Sequence, residues 1–167
     1  MATTLRPSTP GDLSFVTTLE RDPANRDFIG QWADDEHLDA MAGKAGREHW
    51  VIERDGERAG YLIAYDTRAL DGGVYVKRIL MQDKERGTGK AALAAFLDDA
   101  CARHGIAFVW LQVWNWNARA QAVYTKLGFT FLDVPPQEEE SWNRVDASRE
   151  GVLRMRIEAS GWRSRAR

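Results

Sequence analysis

Hydrophobic and polar positions change rhythm several times along the chain, and each change predicts an element. Thr4, Leu5 and Arg6 read as a short strand. Thr9 is placed to cap a helix with Pro10 at its first position and Asp12 in its first turn. Leu13, Val16 and Leu19 give that helix an apolar face, and Asp22-Pro23 ends it. A second helix is predicted from about Asn25 to Met41, with Phe28, Ile29, Trp32 and Leu38 as its apolar members and Gly43 as its stop. The runs 49–54 and 58–65 flank Asp55-Gly56, a strong two-residue hairpin signal. A loop with Asp71, Gly72 and Gly73 then leads into a strand over 74–81, completing four strands of a mostly antiparallel meander.

From Thr88 the period becomes helical, with Leu93, Phe96, Leu97, Ala100 and Cys101 on one face. Such a helix would reach His104, spanning about 25 Å, and Gly105 suits the position just past its end. Residues 107–113 are almost continuously apolar, as in a central strand buried on both faces. A right-handed crossover makes the strands at 74–81 and 107–113 parallel. Asn117 caps the next helix, whose inner face is Ala120, Val123, Tyr124 and Leu127 and whose stop is Gly128. Residues 129–134 form another strand, 134–149 a long polar loop, and 151–159 a last alternating strand. One domain over residues 1–160 is expected, followed by a loose basic tail at 161–167.

Composition narrows the class. The chain has 167 residues, 44% hydrophobic and 29% charged, as in an ordinary soluble globular protein. A formal net charge of −2 supplies no global field for nucleic acid. Cys101 is the single cysteine, so neither a disulfide framework nor a thiolate metal cluster is expected, and its place on an apolar helical face makes it a core residue. No apolar stretch suggests a signal peptide or a membrane span, so the expected compartment is the cytoplasm.

The candidate chemistry starts at Arg86-Gly87-Thr88-Gly89-Lys90-Ala91, between the 74–81 strand and the helix that follows. Gly87 and Gly89 allow a tight bend and a close approach of backbone to ligand. A helix starting here points free N–H groups and about half a positive charge at the loop, which suits phosphate. A plain tight turn would look the same. The nucleotide-binding P-loop pattern GxxxxGK[ST] is not met, because Lys84 replaces its first glycine and Ala91 its Mg²⁺-binding hydroxyl.

The loop does match the R/Q-x-x-G-x-G/A signature of the GNAT superfamily of acetyl-CoA-dependent N-acetyltransferases. Leu111, Val113, Asn117, Ala120, Tyr124, Lys126, Gly128 and Phe129 resemble that family's second signature at every spacing. The order of elements resembles the family over about residues 3–159. The resemblance implies an α/β GNAT fold, with a mixed, mostly antiparallel sheet of about seven strands, a central splayed parallel pair and about four helices. It implies coenzyme A pyrophosphate held by main-chain N–H groups over 86–92, contributed by Arg86, Gly87, Thr88, Gly89, Lys90 and Ala91. The pantetheine arm would pair with the backbone of Ile79, Leu80 and Met81. A backbone N–H near Met81 would stabilise the oxyanion, and losing one such donor costs about 2.7–4 kcal/mol. Tyr124 would protonate the departing thiolate, or else fill the core; Asn117 would cap its helix, contact coenzyme A, or do both. Arg86 and Lys90 would touch phosphates or simply be solvated. No metal is implied.

Three departures from the family stand out. Asp83 replaces a frequent proline, and Ala91 replaces the last glycine. The strand 74–82 carries no carboxylate, and Gln112 stands where some members carry a glutamate general base. Gln112 could position a water but cannot take a proton. A lysine-like amine of pKa about 10.4 is neutral about once in 2,500 molecules at pH 7, a penalty of about 4.6 kcal/mol, against about 1–1.4 kcal/mol for an α-amine. An enzyme without a base therefore suits a low-pKa amine, unless His49, His37, Asp66 or a water chain supplies one. The acceptor side is expected from the second helix and the 134–149 loop. There the acidic runs 34–36 and 138–140 would attract a cationic amine or form a solvated face, and Trp114 and Trp116 would wall the pocket or pack in the core. The expected activity is acetyl transfer from acetyl-CoA to a primary amine of a small molecule or peptide N-terminus. A non-catalytic acyl-CoA-binding module on the same fold is the alternative, and a scaffold using the acidic loop a third. The amine-bearing acceptor is the expected partner, with neither nucleic acid nor membrane, and oligomeric state stays open, a homodimer included.

Overall fold

The computed structural model describes residues 2–26, 29–84, 87–132, 136–147 and 149–165, with backbone alone for 136–139. β1 (Thr3–Pro7) pairs antiparallel with β2 (Arg47–Arg54), in register from Thr3↔Arg54 to Pro7↔Trp50. Asp55 and Gly56 turn β2 into β3 (Glu57–Thr67) with φ of 52° and 83°, the pair of left-handed residues that a type I′ hairpin requires. A single helical turn, α3 (Arg68–Asp71), precedes β4 (Gly73–Met81). β5 (Phe108–Trp114), β6 (Thr130–Phe131) and β7 (Val152–Glu158) complete a seven-stranded sheet ordered β1-β2-β3-β4-β5-β7-β6. β4 and β5 are parallel, from Gly73↔Phe108 to Val76↔Leu111, as the crossover predicted.

Two compact units divide the chain, Met1–Ala64 with Lys77–Ala95 and Tyr65–Val76 with Phe96–Arg167. In the first, a 3-10 turn at Pro10–Asp12 leads into α1 (Leu13–Arg21). The predicted helix over 25–41 is corrected to α2 (Asp34–Met41). Asn25 does not start a helix; its side-chain amide donates to Leu19 O at 2.9 Å and so closes the end of α1. Asp22 Oδ1 accepts from Ala24 N–H at 2.9 Å, an Asx turn that competes with helix. Trp32 N–H is held by Glu20 Oε1 at 2.6 Å. Phe28 lies outside the described residues. Asp34, Asp35 and Glu36 form the first turn of α2, where acidic side chains offset the helix dipole.

In the second unit, β5 also pairs antiparallel with β7, in register from Phe108↔Glu158 to Trp114↔Val152. Its core is a stack of aromatic rings: Trp110 lies 4.1 Å from Tyr75 and 4.4 Å from Trp142, all three fully buried. Cys101 is buried as expected, and burial pushes its thiol up to about 11. α5 (Ala118–Leu127) follows its predicted bounds, while the strand expected over 129–134 shortens to Thr130–Phe131, with Val134 outside the described residues. Two expectations are corrected here. The polar loop at 134–149 contains α6 (Pro136–Val145), which starts on proline and buries Trp142. The tail expected to be loose forms α7 (Ala159–Arg165). Trp162 there is buried and donates from Nε1 to Asp98 at 3.0 Å, and Arg163 donates to Cys101 O at 2.6 Å.

The first unit buries a chain of polar groups. Glu20 Oε2 lies 2.7 Å from His37 Nε2, His37 Nδ1 is 3.1 Å from His49 Nε2, and His49 Nδ1 is 2.7 Å from Ser8 Oγ. Tyr61 OH donates to the same Glu20 oxygen at 2.9 Å, and Arg78 Nη1 faces it at 3.4 Å. Burial alone would raise the Glu20 pKa, but hydrogen bonds from His37 and Trp32 N–H and the Arg78 charge bring it below the usual carboxylate value. Burial, with His37 beside it, pushes His49 down from 6.5 to about 4.

Two stability experiments follow from these contacts. Between about pH 6.5 and 4 the unfolded chain binds a proton at position 49 that the folded chain refuses, so stability is full above that window and falls as the pH drops through it. The expected loss from this group is about 2 kcal/mol by pH 5, read as a falling urea midpoint whose pH slope flattens in His49→Gln. Gly60 is the second test. A Cβ there would sit 2.3 Å from Leu80 O, a backbone atom that cannot swing aside. Gly60→Ala should therefore cost about 1–3 kcal/mol, as overpacking does, and an unchanged urea midpoint would contradict that fit.

Candidate active site

α4 (Thr88–Ala102) begins seven residues after the end of β4, and its first hydrogen bond inside this turn runs from Ala91 N–H to Gly87 O at 3.1 Å. The leading N–H groups of any helix lack intrahelical acceptors, and here they belong to the residues singled out in the sequence, Thr88, Gly89 and Lys90. Gly87 takes φ 71°, which side-chain-bearing residues rarely adopt. A Cβ on Gly89 would lie 3.3 Å from Met81 Cγ, so the glycine loop and the end of β4 are in contact. Thr88 is buried, Gly89 partly so, and Gly87, Lys90 and Ala91 are exposed. Arg86 lies outside the described residues.

Backbone direction along β4 separates its last residues. Gln82 N–H donates to Ala59 O at 2.8 Å, and Leu80 O faces Gly60. Peptide groups alternate sides along a strand, so Leu80 points its polar groups toward β3 while Ile79 and Met81 point theirs away from it. An open cleft of about 460 Å³ adjoins this end of β4, lined by Arg54, Arg58, Met81, Gln82 and Thr88 among others.

Asn117 and Tyr124 belong to the second unit. Asn117 Oδ1 accepts from Ala120 N–H at 3.2 Å, so the cap predicted from sequence is formed. Tyr124 is half-buried one turn from the end of α5, with its ring 5.9 Å from that of Phe129. Burial pushes its phenol up to about 12, so the hydroxyl keeps its proton at neutral pH.

The candidate bases fall in different places. His37 and His49 are enclosed in the Glu20 chain. Asp66 accepts from Arg68 Nη2 at 2.6 Å and from Arg68 N–H at 3.1 Å, bonds that hold its pKa down. Gln112 donates from Nε2 to Tyr75 OH at 3.3 Å and accepts from Arg154 Nε at 3.0 Å. Tyr75 OH in turn donates to Asp146 Oδ2 at 2.5 Å. Arg154 Nη2 reaches Asn143 Oδ1 at 2.7 Å and Asp146 O at 3.2 Å. Sequence reading found Gln112 but missed Tyr75, Asp146 and Arg154. The available signal was proline, glutamates and Arg144 in helix-like order around Trp142 and Val145, which foretells α6 and hence the position of Asp146 at its end. Trp114 and Trp116 stack with centroids 6.0 Å apart, Trp116 being half exposed.

Among the described residues no group of three or more His, Cys, Asp or Glu is placed to hold a metal ion. No described helix is long and apolar enough to cross a membrane.

Solved structures share this fold. The spermidine N-acetyltransferase of Vibrio cholerae in complex with CoA and spermine is 18% identical, with a TM-score of 0.73 over 96% of this chain and 97% of that one. The aminoglycoside acetyltransferase AAC(6')-Ib in complex with coenzyme A is 15% identical, with a TM-score of 0.80 over 99% and 100%. Ard1 from Thermoplasma volcanium is 18% identical, with a TM-score of 0.68 over 95% and 98%. Comparison with curated protein sequences gives no match. The model of the acetyltransferase (GNAT) family matches residues 14–129, more than half of the chain and both signatures, and the chain therefore belongs to the GNAT acetyltransferase family.

Proposed function

We propose that this protein moves an acetyl group from acetyl-CoA to a primary amine, on a small molecule or a peptide N-terminus, by direct attack while both substrates are bound. The observation that carries the reading is the left-handed Gly87 at the start of α4, beside a Gly89 packed on Met81. That arrangement offers consecutive free N–H groups and a positive helix end to a phosphate. The pyrophosphate would be held there by Gly87, Thr88, Gly89, Lys90 and Ala91, with Arg86 as a further contact, and Asn117 would contact coenzyme A while capping α5. The pantetheine arm would run along Ile79, Leu80 and Met81, with the outward polar groups of Ile79 and Met81 as its hydrogen-bonding partners. The relatives described with coenzyme A, and one of them also with spermine, support a coenzyme A donor and an amine acceptor.

The neutral amine would attack the thioester carbon, the developing oxyanion would take a hydrogen bond from Met81 N–H, and the C–S bond would break as Tyr124 protonates the thiolate. A phenol raised by burial is suited to that last task, since it arrives protonated and its conjugate base recovers a proton readily.

Coenzyme A thiol release, followed over a panel of primary amines between pH 7 and 9, should show turnover. Tight acetyl-CoA binding with no turnover on any amine would replace this reading by a binding module. Tyr124→Phe should lower kcat by about 10²–10⁴-fold, the usual contribution of a positioned acid, with little change in acetyl-CoA affinity. An unchanged kcat would remove Tyr124 from the chemistry.

A further inference from the structure

We infer that the side chain of Met81 sets the spacing between the end of β4 and the first turn of α4, and that position 89 is glycine in order to seat it. This assignment rests on the coenzyme A reading above, in which both ends of that spacing touch one ligand. Met81, Gly60 and Gly89 all belong to the first unit. Gly89 lies inside α4, and its φ is outside the left-handed region that Gly87 occupies. That conformation suits alanine as well as glycine, and alanine is the better helix former. Conformation therefore does not explain the glycine, and space does. A Cβ at position 89 would lie 3.3 Å from Met81 Cγ, inside the separation of about 3.5–4.0 Å at which carbon atoms pack best.

The same side chain is also held from β3. A Cβ on Gly60 would lie 2.8 Å from Met81 Sδ, so the thioether rests directly on the backbone of that strand. Methionine ordinarily adapts to its surroundings by rotation about three bonds. Held between two glycines, this one cannot retreat from one contact without meeting the other, and it acts as a spacer. It is buried, while an open cleft of about 460 Å³ borders Met81, Gln82 and Thr88. That side supplies no packing to hold the strand end and the helix start apart, which leaves the contact with Gly89 to do so. The spacing matters because of what each end does in the proposed reaction. Met81 N–H takes the oxyanion, and the N–H groups of Thr88, Gly89 and Lys90 take the pyrophosphate, so acetyl-CoA must meet both places at once. A displacement of about 1 Å between such anchor points costs about 10²-fold in rate. Met81 is thus a positioning residue through its side chain, acting on the first turn of α4.

The test is affinity for acetyl-CoA and for ADP, a probe that carries a pyrophosphate and no thioester. Wild type, Gly89→Ala, Met81→Ala, Met81→Leu and the double variant Gly89→Ala with Met81→Ala are compared at a temperature where thermal melts show each one folded. Gly89→Ala and Met81→Ala should each weaken acetyl-CoA by about tenfold, a size usual for residues in contact, while ADP keeps its affinity. The double variant should bind acetyl-CoA no more weakly than Met81→Ala, because the added Cβ then meets no Cγ. Met81→Leu, which keeps a Cγ and nearly the same volume, should stay close to wild type. Losses that multiply in the double variant overturn the assignment. So does an unchanged acetyl-CoA affinity in Gly89→Ala, or an equal loss of both ligands there, which would set the Cβ against phosphate. If Met81→Ala does not fold, the contrast between the two ligands in Gly89→Ala still decides. A wild type that binds neither ligand overturns the coenzyme A reading itself, and this assignment with it.

Discussion

Parallel pairing of β4 with β5 is the constraint from which the placement of the glycine loop follows. Two parallel neighbours cannot be joined by a hairpin, so the chain must leave the carboxyl end of β4, cross one face of the sheet and return. α4 is that crossover, and its N-terminus must therefore open near the end of β4. A helix N-terminus carries unpaired N–H groups whatever its sequence. Gly87 then supplies what topology does not, a left-handed turn leading into the helix. The same logic sets α5 after β5, where Asn117 Oδ1 accepts from Ala120 N–H and caps the helix.

Elements specified by their own residues were legible in the sequence. Asp55-Gly56 needs no partner to form its turn, and the almost continuously apolar run at 107–113 is the buried strand β5, one residue shifted from its expected bounds. Where distant groups compete for local ones, the pattern misleads. Phe28, Ile29 and Trp32 keep a helical spacing, yet Asn25 is drawn back to Leu19 O and Trp32 N–H is drawn to Glu20, so the helix starts only at Asp34. At the other end, the basic composition after Trp162 suggested a loose tail. The burial of Trp162 against Asp98 and the bond from Arg163 to Cys101 O explain why it is helical instead.

The two buried polar networks are illegible for a related reason. Periodicity reports which positions avoid water, and it carries no information on which buried polar groups find each other. Glu20 joins His37 seventeen residues away and Tyr61 forty-one away, while Tyr75 joins Asp146 across seventy-one. Each such group would be costly if left unpaired, so the networks constrain the fold strongly even though no local signal announces them. That also explains why His37 and His49, natural candidates for a base when seen in sequence, serve structure: their ring nitrogens are occupied end to end between Glu20 and Ser8.

The glycine loop and the Asp146 network therefore differ in how they are encoded. The glycine-loop signature draws on one continuous stretch of sequence, 86–91, and a stretch can be matched as a motif. The Asp146 network draws on β4, β5, β7 and the end of α6, four elements separated in sequence and joined through one tyrosine hydroxyl and one guanidinium. Change in any of the four alters the carboxylate's surroundings. A signature can therefore identify the family while carrying no information on how such a network is assembled.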